Sequence, residues 1–364
     1  MNRSRKGLPE LLLLCLCFLL AATPLLSQTA ATIATPLVPG PKPADAPLEW
    51  KRLVGIYSDN RISTIILERS GELLWRLPGK TDWNRNGKLE WRVYIQPNGD
   101  LHAQEHEMAA ALILVPVRDS GGSITQIESG RHIFKRADAG ADPALFFHVT
   151  PTKTVDELRT AALAAKPPDE PDPFRKPELV ELTTLDPAFH LDIRYAQSNN
   201  FLSTPLYIQA RAFMQRPAAE ALLRVLRKLR PLGYGLLIHD AYRPWYVTKL
   251  FWDATPPEDH SFVADPQKGS KHNRGCAVDL TLYDLATGKV IEMPGLYDEM
   301  SPRSFPTFPG GTSLQRWHRD LLRRAMESEG FTVDQNEWWH FDYKEWKLYP
   351  ILNVPFEKLD KLTN

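Results

Sequence analysis

The stretch SKHNRGCAVD, residues 270–279, places an imidazole and a carboxylate on either side of a glycine. Zinc accepts histidine nitrogen and carboxylate oxygen, and a catalytic zinc has three protein ligands and one open position. His272 and Asp279 could supply two ligands, and Gly275 would permit the tight turn that brings them together. Taken alone, this stretch fits a surface loop with a solvated histidine and aspartate better than a metal site.

A second polar pair lies among aromatic residues in EWWHF, residues 337–341. His340 could be the third ligand, and Glu337 the general base for a water molecule whose pKa zinc lowers to about 7. On a regular strand, positions 337 and 340 point to opposite faces. A shared site therefore requires a bend or bulge, or one of the residues beyond the strand end. The alternative is an aromatic strand with both residues at the surface.

A third stretch, LLIHDAYRP at residues 236–244, predicts a buried strand that ends in polar residues. Arg243 could stabilise the oxyanion of a tetrahedral intermediate. A structural ion pair between Asp240 and Arg243 would explain the same residues without catalysis. Together the three stretches contain the ligands, the base and the oxyanion donor that metal-assisted amide hydrolysis requires.

The N-terminus has the pattern of an export signal. Basic residues at positions 3, 5 and 6 precede an apolar run from Leu11 to Ala22, and small residues follow. This order predicts a signal peptide over residues 1–31. The apolar run is shorter than the ~20 residues that span a membrane, so we expect cleavage and export to the periplasm or medium, with an uncleaved anchor as the alternative.

Charge and cysteine content narrow the class of protein further. The 364 residues carry 44 basic and 44 acidic side chains, and this balance gives no indication of binding to nucleic acid or to an anionic membrane. Of the three cysteines, Cys15 and Cys17 fall within the predicted signal. The mature chain would then keep Cys276 alone and form no intramolecular disulfide.

Two segments of unusual composition divide the chain. Residues 32–47 are rich in Pro and Ala and lack periodicity, which predicts a flexible lead-in. Residues 151–178 contain a short predicted helix at 154–165 and the Pro-rich stretch KPPDEPDPFRKP at 166–177. Five prolines among charged residues indicate a linker.

Between these segments, residues 48–150 alternate strand-like stretches with turn signals. The turns are Ser70-Gly71, Asn86-Gly87 and Asn98-Gly99. Such dipeptides between apolar stretches indicate antiparallel hairpins. We therefore expect a small β-rich accessory domain over these residues.

Residues 179–364 mix helices with short strands, and an α+β domain is expected. Leucines on one face predict a helix over 217–229, followed by a buried strand over 235–239. Ser313 is the predicted N-cap of a later helix, and a strand is predicted at 331–333.

These motifs resemble those of the zinc D-alanyl-D-alanine dipeptidases, which are related to the D,D-carboxypeptidases of cell-wall metabolism and to the hedgehog-type fold. The family pattern S-x-H-x-x-G-x-A-x-D is complete at 270–279, and E-x-W-H is complete at 337–340. A G-Y-R-P-type pattern appears at 241–244, with Ala241 in place of glycine. The resemblance covers roughly residues 180–350, and it implies a catalytic domain with an antiparallel sheet and flanking helices.

Carried over position by position, the resemblance implies one zinc ion held by His272, Asp279 and His340. It makes Glu337 the catalytic base and Arg243 the stabiliser of the transition state.

The resemblance also implies substrate contacts. Asp298, in the stretch YDEM, would bind the free amine of the substrate, and Ser270 becomes a second substrate-binding candidate. Residues 192–196 resemble the opening strand of the family. Trp338 and the Asp298 stretch are more similar to dipeptidases than to carboxypeptidases.

The sequence therefore predicts an exported zinc dipeptidase that hydrolyses D-alanyl-D-alanine to two D-alanines. A D,D-carboxypeptidase or endopeptidase on peptidoglycan stem peptides is the first alternative, and it would need an open groove around Asp298. A non-catalytic cell-wall-binding protein is the second, although all five catalytic candidates are present. The expected partner is a small D,D-dipeptide. The β-rich domain could contact the cell wall, and neither nucleic acid nor stable membrane insertion is expected.

Overall fold

The protein is represented by a computed structural model that describes residues 36–59, 61–77, 90–104, 111–138, 148–171 and 173–361. These residues belong to one compact unit that spans Pro36–Asn364. The predicted signal peptide at 1–31 and the predicted turn at Asn86-Gly87 lie outside the described residues. Within the described part of the chain, every helix is too short or too polar to cross a membrane.

In the first half of the described chain, strands close into a barrel in which sequence neighbours pair antiparallel and the last strand returns to the first. The strands are β1 (Gly55–Ser58), β2 (Ser63–Arg69), β3 (Glu72–Arg76), β4 (Glu90–Ile95), β5 (Leu101–Gln104), β6 (Leu112–Arg118), β7 (Ile124–Ser129) and β8 (His132–Arg136). Inward-facing apolar side chains, among them Trp75, Leu101 and Ile127, fill the barrel with a core of its own.

The hairpin turns of this barrel follow from local sequence. Ser70 and Gly71 join β2 to β3, and both have positive φ angles, 53° and 80°. Two such residues in a row form the turn whose twist matches that of a hairpin. Asn98 and Gly99 lie in the connection between β4 and β5. The limits of residues 48–150 as a separate domain stay a prediction.

A five-stranded sheet organises the second half. Its order is β10 (Phe189–Leu191), β12 (Tyr234–Asp240), β13 (Ala277–Asp284), β15 (His340–Tyr343) and β14 (Phe331–Val333). All neighbours pair antiparallel except β10 and β12, which are parallel, so the sheet is mixed and not wholly antiparallel as expected. A separate antiparallel pair consists of β9 (Leu179–Glu181) and β11 (Phe213–Gln215).

One predicted strand is misplaced. Residues 192–196 were expected to form the opening strand, but the strand is β10, at 189–191. Residues 194–196 form a single turn of 3₁₀ helix instead. Because the strand ends before residue 192, Tyr195 lies outside the sheet, where its side chain can contact neighbouring loops.

Helices cover the sheet and join its strands. The described helices are α1 (Leu48–Leu53), α2 (Val155–Ala164), α3 (Leu182–Leu185), α4 (Arg216–Leu229), α5 (Trp245–Ala254) and α6 (Ser313–Glu327). The predicted helix at 217–229 is α4, and its leucine face is fully buried. Helices α4 and α6 pack on one another and on the sheet, while α2 packs on α5.

The N-cap of α6 was predicted one residue too late. Thr312, and not Ser313, is the N-cap, because its side chain accepts a hydrogen bond from the Gln315 amide. The Gln315 side chain in turn accepts one from the Thr312 amide, which completes a capping box. Ser313 is the first helical residue, and its amide donates to Glu68 of β2 (2.6 Å). The glutamine three residues after Thr312 was the sequence feature that could have identified Thr312 as the N-cap.

We expect Glu68→Ala to lower the free energy of unfolding by about 1–2 kcal/mol. The Glu68 carboxylate lies at the positive end of α6, and it also accepts hydrogen bonds from the Ser313 hydroxyl (3.2 Å) and the Gly71 amide (2.8 Å). Thermal and denaturant unfolding measure the change. Glu72→Ala is the matched control, because Glu72 pairs with Arg92 at the surface, where ion pairs contribute little. Equal losses in both variants would contradict a specific role for Glu68.

Two segments without helix or strand lie against the α+β part through contacts that composition did not predict. In residues 36–47, the Gly40 carbonyl accepts a hydrogen bond from Trp317 Nε1 of α6 (3.0 Å). In the Pro-rich stretch, the Glu170 carboxylate accepts one from Arg274, which follows His272 closely in sequence. The first segment therefore packs on α6, and the second contacts the turn that carries His272.

Candidate metal centre and active site

Three neighbouring strands bring acidic and imidazole side chains into one row. The strand register pairs Asp240 of β12 with Asp279 of β13, and Asp279 with His340 of β15. Residues directly opposite one another on adjacent strands project from the same face of a sheet. The register of β12 and β13 shifts between Ile238 and Asp240, and such an irregularity re-aims the side chain that follows it.

His272 reaches this row from the turn that precedes β13. Residues 272–274 form one 3₁₀ turn, and Gly275 follows in the left-handed region with φ 66°. A Cβ atom at Gly275 would lie 2.6 Å from the Leu179 side chain. Both backbone conformation and space therefore require glycine here. The tight turn predicted from the sequence therefore places His272 close to Asp279.

Three donor atoms converge at the end of this turn, one each from His272, Asp279 and His340, and we call them the donor cluster. His272 Nε2 is 3.1 Å from His340 Nδ1 and 3.3 Å from Asp279 Oδ1, and the latter two atoms are 3.0 Å apart. Ligand atoms bound at 2.0–2.1 Å around a tetrahedral zinc ion are separated by about 3.3 Å. All three residues are buried. Among the described residues this is the one cluster of His, Cys, Asp and Glu side chains that could hold a metal ion, and its donor types and spacing fit zinc.

The second nitrogen of each imidazole is held by an oxygen. His272 Nδ1 is 2.6 Å from the Ala241 carbonyl oxygen, and His340 Nε2 is 2.9 Å from Asp342 Oδ1. Lys271 Nζ lies 2.7 Å from the other oxygen of Asp342. Such contacts fix the tautomer and the ring orientation of metal-binding histidines. The remaining nitrogens, His272 Nε2 and His340 Nδ1, therefore point their lone pairs toward the cluster.

We expect Asp342→Asn to weaken zinc affinity about 10- to 100-fold. The amide cannot supply the negative charge that supports His340, so the imidazole becomes a weaker donor. Competition with a chromophoric chelator measures the affinity. Asp253→Asn is the matched control, because Asp253 pairs with Lys249 on the surface of α5. Unchanged affinity in Asp342→Asn would mean that the strand alone orients His340.

Glu337 precedes β15 and does not lie on it. Of the arrangements that the sequence left open, the structure adopts the one in which a residue lies beyond the strand end. Glu337 Oε2 is 3.7 Å from His340 Nδ1, and the side chain is 26% exposed. Burial raises the pKa of Glu337 to about 8, with His340 opposing and Asp279 adding to the rise. Trp338 and Trp339 are buried in the core, so the aromatic residues do not form a surface strand.

Arg243 faces the cluster from the segment after β12. Its Nε and Nη2 atoms are both 2.8 Å from Asp240 Oδ2, and Nη2 is 3.9 Å from Asp279 Oδ2. The guanidinium also packs on the rings of Tyr195 and Phe251. Although burial opposes the charge, the Asp240 carboxylate keeps the pKa of Arg243 well above its ordinary value. The ion pair that the sequence allowed is present, and it fixes the guanidinium beside the donor cluster.

Asp298 is buried next to the cluster in a constrained backbone conformation, with φ 56°. Its Oδ2 accepts a hydrogen bond from the Tyr195 hydroxyl (3.0 Å), and the adjacent Tyr297 donates to Asp279 Oδ2 (3.1 Å). Burial, followed by the charge of Asp279, raises the pKa of Asp298 to about 7. A small cavity opens here, lined by His148, Arg194, Asn199, Asn200, Phe201, Tyr297 and Asp298.

Two other residues of the first motif have structural partners. Ser270 Oγ accepts a hydrogen bond from the His272 amide (3.2 Å), so this side chain supports the turn. Its contact with substrate stays a prediction. Cys276 is free and fully buried, and burial raises the pKa of its thiol to about 12. The thiol is therefore protonated, as expected of a packed side chain.

Sequence reasoning included Tyr195 and Tyr297 in family-like stretches but assigned neither a role. Tyr195 donates to Asp298 and Tyr297 donates to Asp279, and the two hydroxyl oxygens are 3.4 Å apart. The position of Tyr297 directly before Asp298 was the available signal. No local pattern indicates that a hydroxyl would meet a carboxylate 103 residues away.

Comparison with known proteins matches the second half of the chain. Residues 175–357 match the M15 peptidase family model, described as D-ala-D-ala dipeptidase. The D-alanyl-D-alanine dipeptidase of Escherichia coli (strain K12) is 35% identical over 179 residues, covering 49% of this chain and 91% of the relative. Those of Enterococcus faecalis (strain ATCC 700802 / V583) and Enterococcus faecium are 35% and 33% identical over 172 and 186 residues. The alignments cover 41% and 44% of this chain, and 83% and 91% of the relatives.

The matched range contains the donor cluster, Glu337, Arg243 and Asp298, and it begins after the barrel strands. The donor cluster thus lies within the part of the chain that relatives share along nearly their whole length. The chain therefore belongs to the M15 peptidase family of D-Ala-D-Ala dipeptidases, which are zinc metallopeptidases.

Proposed function

We propose that the protein is an exported zinc dipeptidase that hydrolyses D-alanyl-D-alanine to two molecules of D-alanine. The observation that carries this proposal is the buried Asp298 carboxylate, which lies close to the donor cluster: Tyr195 donates to Asp298, Tyr297 donates to Asp279, and the two hydroxyl oxygens are 3.4 Å apart. A carboxylate so close to the reacting centre suits the ammonium of a dipeptide, because only one residue separates that ammonium from the scissile bond. The names of the relatives agree with this substrate.

The donor cluster has the chemistry that a zinc site needs. His272 Nε2, His340 Nδ1 and Asp279 Oδ1 would hold the ion, because these atoms converge and the remaining polar atoms of the three residues have other partners. When bound, zinc polarises a carbonyl and lowers the pKa of water. The buried surroundings strengthen each of these electrostatic effects.

The neighbouring side chains supply the proton transfers and the charge stabilisation. Glu337 takes a proton from the attacking water and returns it to the amine nitrogen when the C–N bond breaks. Arg243, oriented by Asp240, donates to the oxyanion that forms from the scissile carbonyl. Asp298 accepts hydrogen bonds from the substrate ammonium and so fixes which peptide bond reaches Glu337. Both products leave as free amino acids.

The decisive experiment compares D-alanine release from two substrates by purified zinc-loaded protein. The substrates are free D-Ala-D-Ala and an N-acylated peptide that ends in D-Ala-D-Ala. We expect cleavage of the free dipeptide alone, since the acylated nitrogen has no positive charge for Asp298. Preferential cleavage of the acylated peptide would instead identify a D,D-carboxypeptidase. No cleavage of either substrate by zinc-loaded protein would favour a binding protein on the same fold.

Export is supported by the basic and apolar pattern of residues 1–31. Mass spectrometry of the protein recovered from periplasmic and culture fractions should find an N-terminus near residue 32. Recovery of the intact chain from the cytoplasm alone would contradict export.

A further inference from the structure

The barrel, residues 55–136, lies outside the range matched by the family, yet one of its ends is joined to the site. Asp138 follows β8 and has a fully buried side chain. Its carboxylate accepts hydrogen bonds from Arg136 Nε (2.8 Å) and from the Ile56 amide (2.5 Å), both belonging to the barrel. Asp138 Oδ1 is also 3.5 Å from Arg303 Nη1, in the α+β part. A buried carboxylate thus couples the barrel to a buried arginine.

Arg303 belongs to the segment that carries Asp298, which we call the Asp298 loop (residues 294–304). Its Nε atom donates to the Pro294 carbonyl (2.8 Å) and is 3.4 Å from Glu299 Oε1. Arg303 therefore connects the two ends of the loop and contacts the carboxylate next to Asp298. Another nitrogen of the same guanidinium faces Asp138. Arg303 therefore links the two ends of the loop to each other and links the loop to the barrel.

The two ends of the loop lie close together, and the chain beyond the loop also contacts the barrel. A Cβ atom at Gly295 would lie 2.7 Å from the Arg303 carbonyl oxygen, which shows how closely the two ends approach. Just beyond the loop, the Glu68 amide of β2 donates to the Gly311 carbonyl (3.2 Å). The barrel therefore also contacts the chain that leaves the loop.

Asp298 needs such support because of its backbone. A residue other than glycine stays in the left-handed region only where the surrounding structure enforces that conformation. The Tyr195 hydroxyl donates to the side chain of Asp298. The backbone of Asp298 is part of the loop, and Arg303 stabilises that loop by its hydrogen bond to Pro294. The contacts that decide the direction of the Asp298 carboxylate thus extend into the barrel.

We propose that the barrel positions the substrate site: Asp138, acting through Arg303, holds the Asp298 loop in the conformation that binds the substrate ammonium. This inference rests on the proposed function, in which Asp298 binds that ammonium. Asp138 and Arg303 are positioning residues, since neither lies among the donor cluster or the cavity lining. The charge of Asp138 matters because it attracts the Arg303 guanidinium toward the barrel, on the side away from its contacts within the loop.

The test is Asp138→Asn in the full mature chain. We expect KM for D-Ala-D-Ala to rise on the order of tenfold, with kcat and zinc content nearly unchanged, because displacement of the ammonium-binding group weakens binding more than chemistry. Leu114→Ala is the control: it removes a buried side chain from the barrel core and leaves Asp138 and Arg303 unchanged. This variant should lower Tm without changing KM, since loss of folded enzyme lowers only the apparent kcat.

Two further variants separate the possible outcomes. Asp298→Asn should raise KM at least as much as Asp138→Asn. If it does and Asp138→Asn does not, the positioning role is overturned while the amine-binding role of Asp298 stands. If Asp298→Asn leaves KM unchanged, the amine-binding role fails and the inference fails with it.

Arg303→Lys provides an independent test should Asp138→Asn fold poorly. Lysine keeps the positive charge but cannot reach Pro294 and Asp138 at the same time. We expect the same rise in KM. An unchanged KM in folded Arg303→Lys would overturn the proposal.

Discussion

Replacing Glu337 with glutamine is expected to lower kcat for D-Ala-D-Ala hydrolysis by about 10³-fold while the protein still binds one zinc ion. Glu337 lies 3.7 Å from His340 Nδ1 and outside the cluster of three converging donor atoms. Glutamine has nearly the same shape but can neither accept the proton of water nor return it to the amine. Steady-state kinetics and metal analysis of the purified variant measure both quantities.

Glu345→Gln is the matched control for this experiment. Glu345 lies eight residues later in the same segment and pairs with Arg175 at the surface, so its loss should leave kcat unchanged. Loss of zinc from Glu337→Gln would make Glu337 a ligand. Undiminished kcat would assign the base to another group.

His272→Ala should abolish both zinc binding and activity. Catalytic zinc sites depend on three protein ligands, and removal of one leaves only His340 and Asp279 to hold the ion. After dialysis we expect less than about one-tenth of a zinc ion per chain, since the remaining pair binds too weakly to compete with solvent and buffer. Metal analysis and D-alanine release measure the two effects.

The control is His132→Ala, in β8 of the barrel. His132 pairs with Asp59 and is 42% exposed, so its removal should leave zinc content and activity unchanged. Retention of one zinc ion and full activity by His272→Ala would rule out the proposed ligand set. Zinc retention without activity would point instead to His272 acting on the substrate.

Much of the local structure could be predicted because it depends on neighbouring residues. The Ser70-Gly71 turn, the leucine face of α4 and the glycine turn after His272 all require particular residue types at short spacing. Where several residues compete for one role, the local pattern was ambiguous. Thr312 and Ser313 both suit an N-cap, but the amide of Ser313 donates a hydrogen bond to the distant carboxylate of Glu68.

The arrangement of the site depends on contacts between distant segments. The row of Asp240, Asp279 and His340 requires a strand register that no single segment encodes, because register depends on how three strands pair. The parallel pairing of β10 with β12 and the contact between Arg303 and Asp138 also join segments that are distant in sequence. Such contacts form only when the whole core has packed.

By itself, the sequence determined the chemistry of this protein: which side chains can donate to zinc, which can carry a proton and which can hold an oxyanion. Those properties belong to residue types, and short motifs preserve them. Only the tertiary structure decided that His272 and His340, 68 residues apart, approach to 3.1 Å, and that Tyr195 meets Asp298. Distances of this kind are set by strand register and packing, which are properties of the folded chain as a whole.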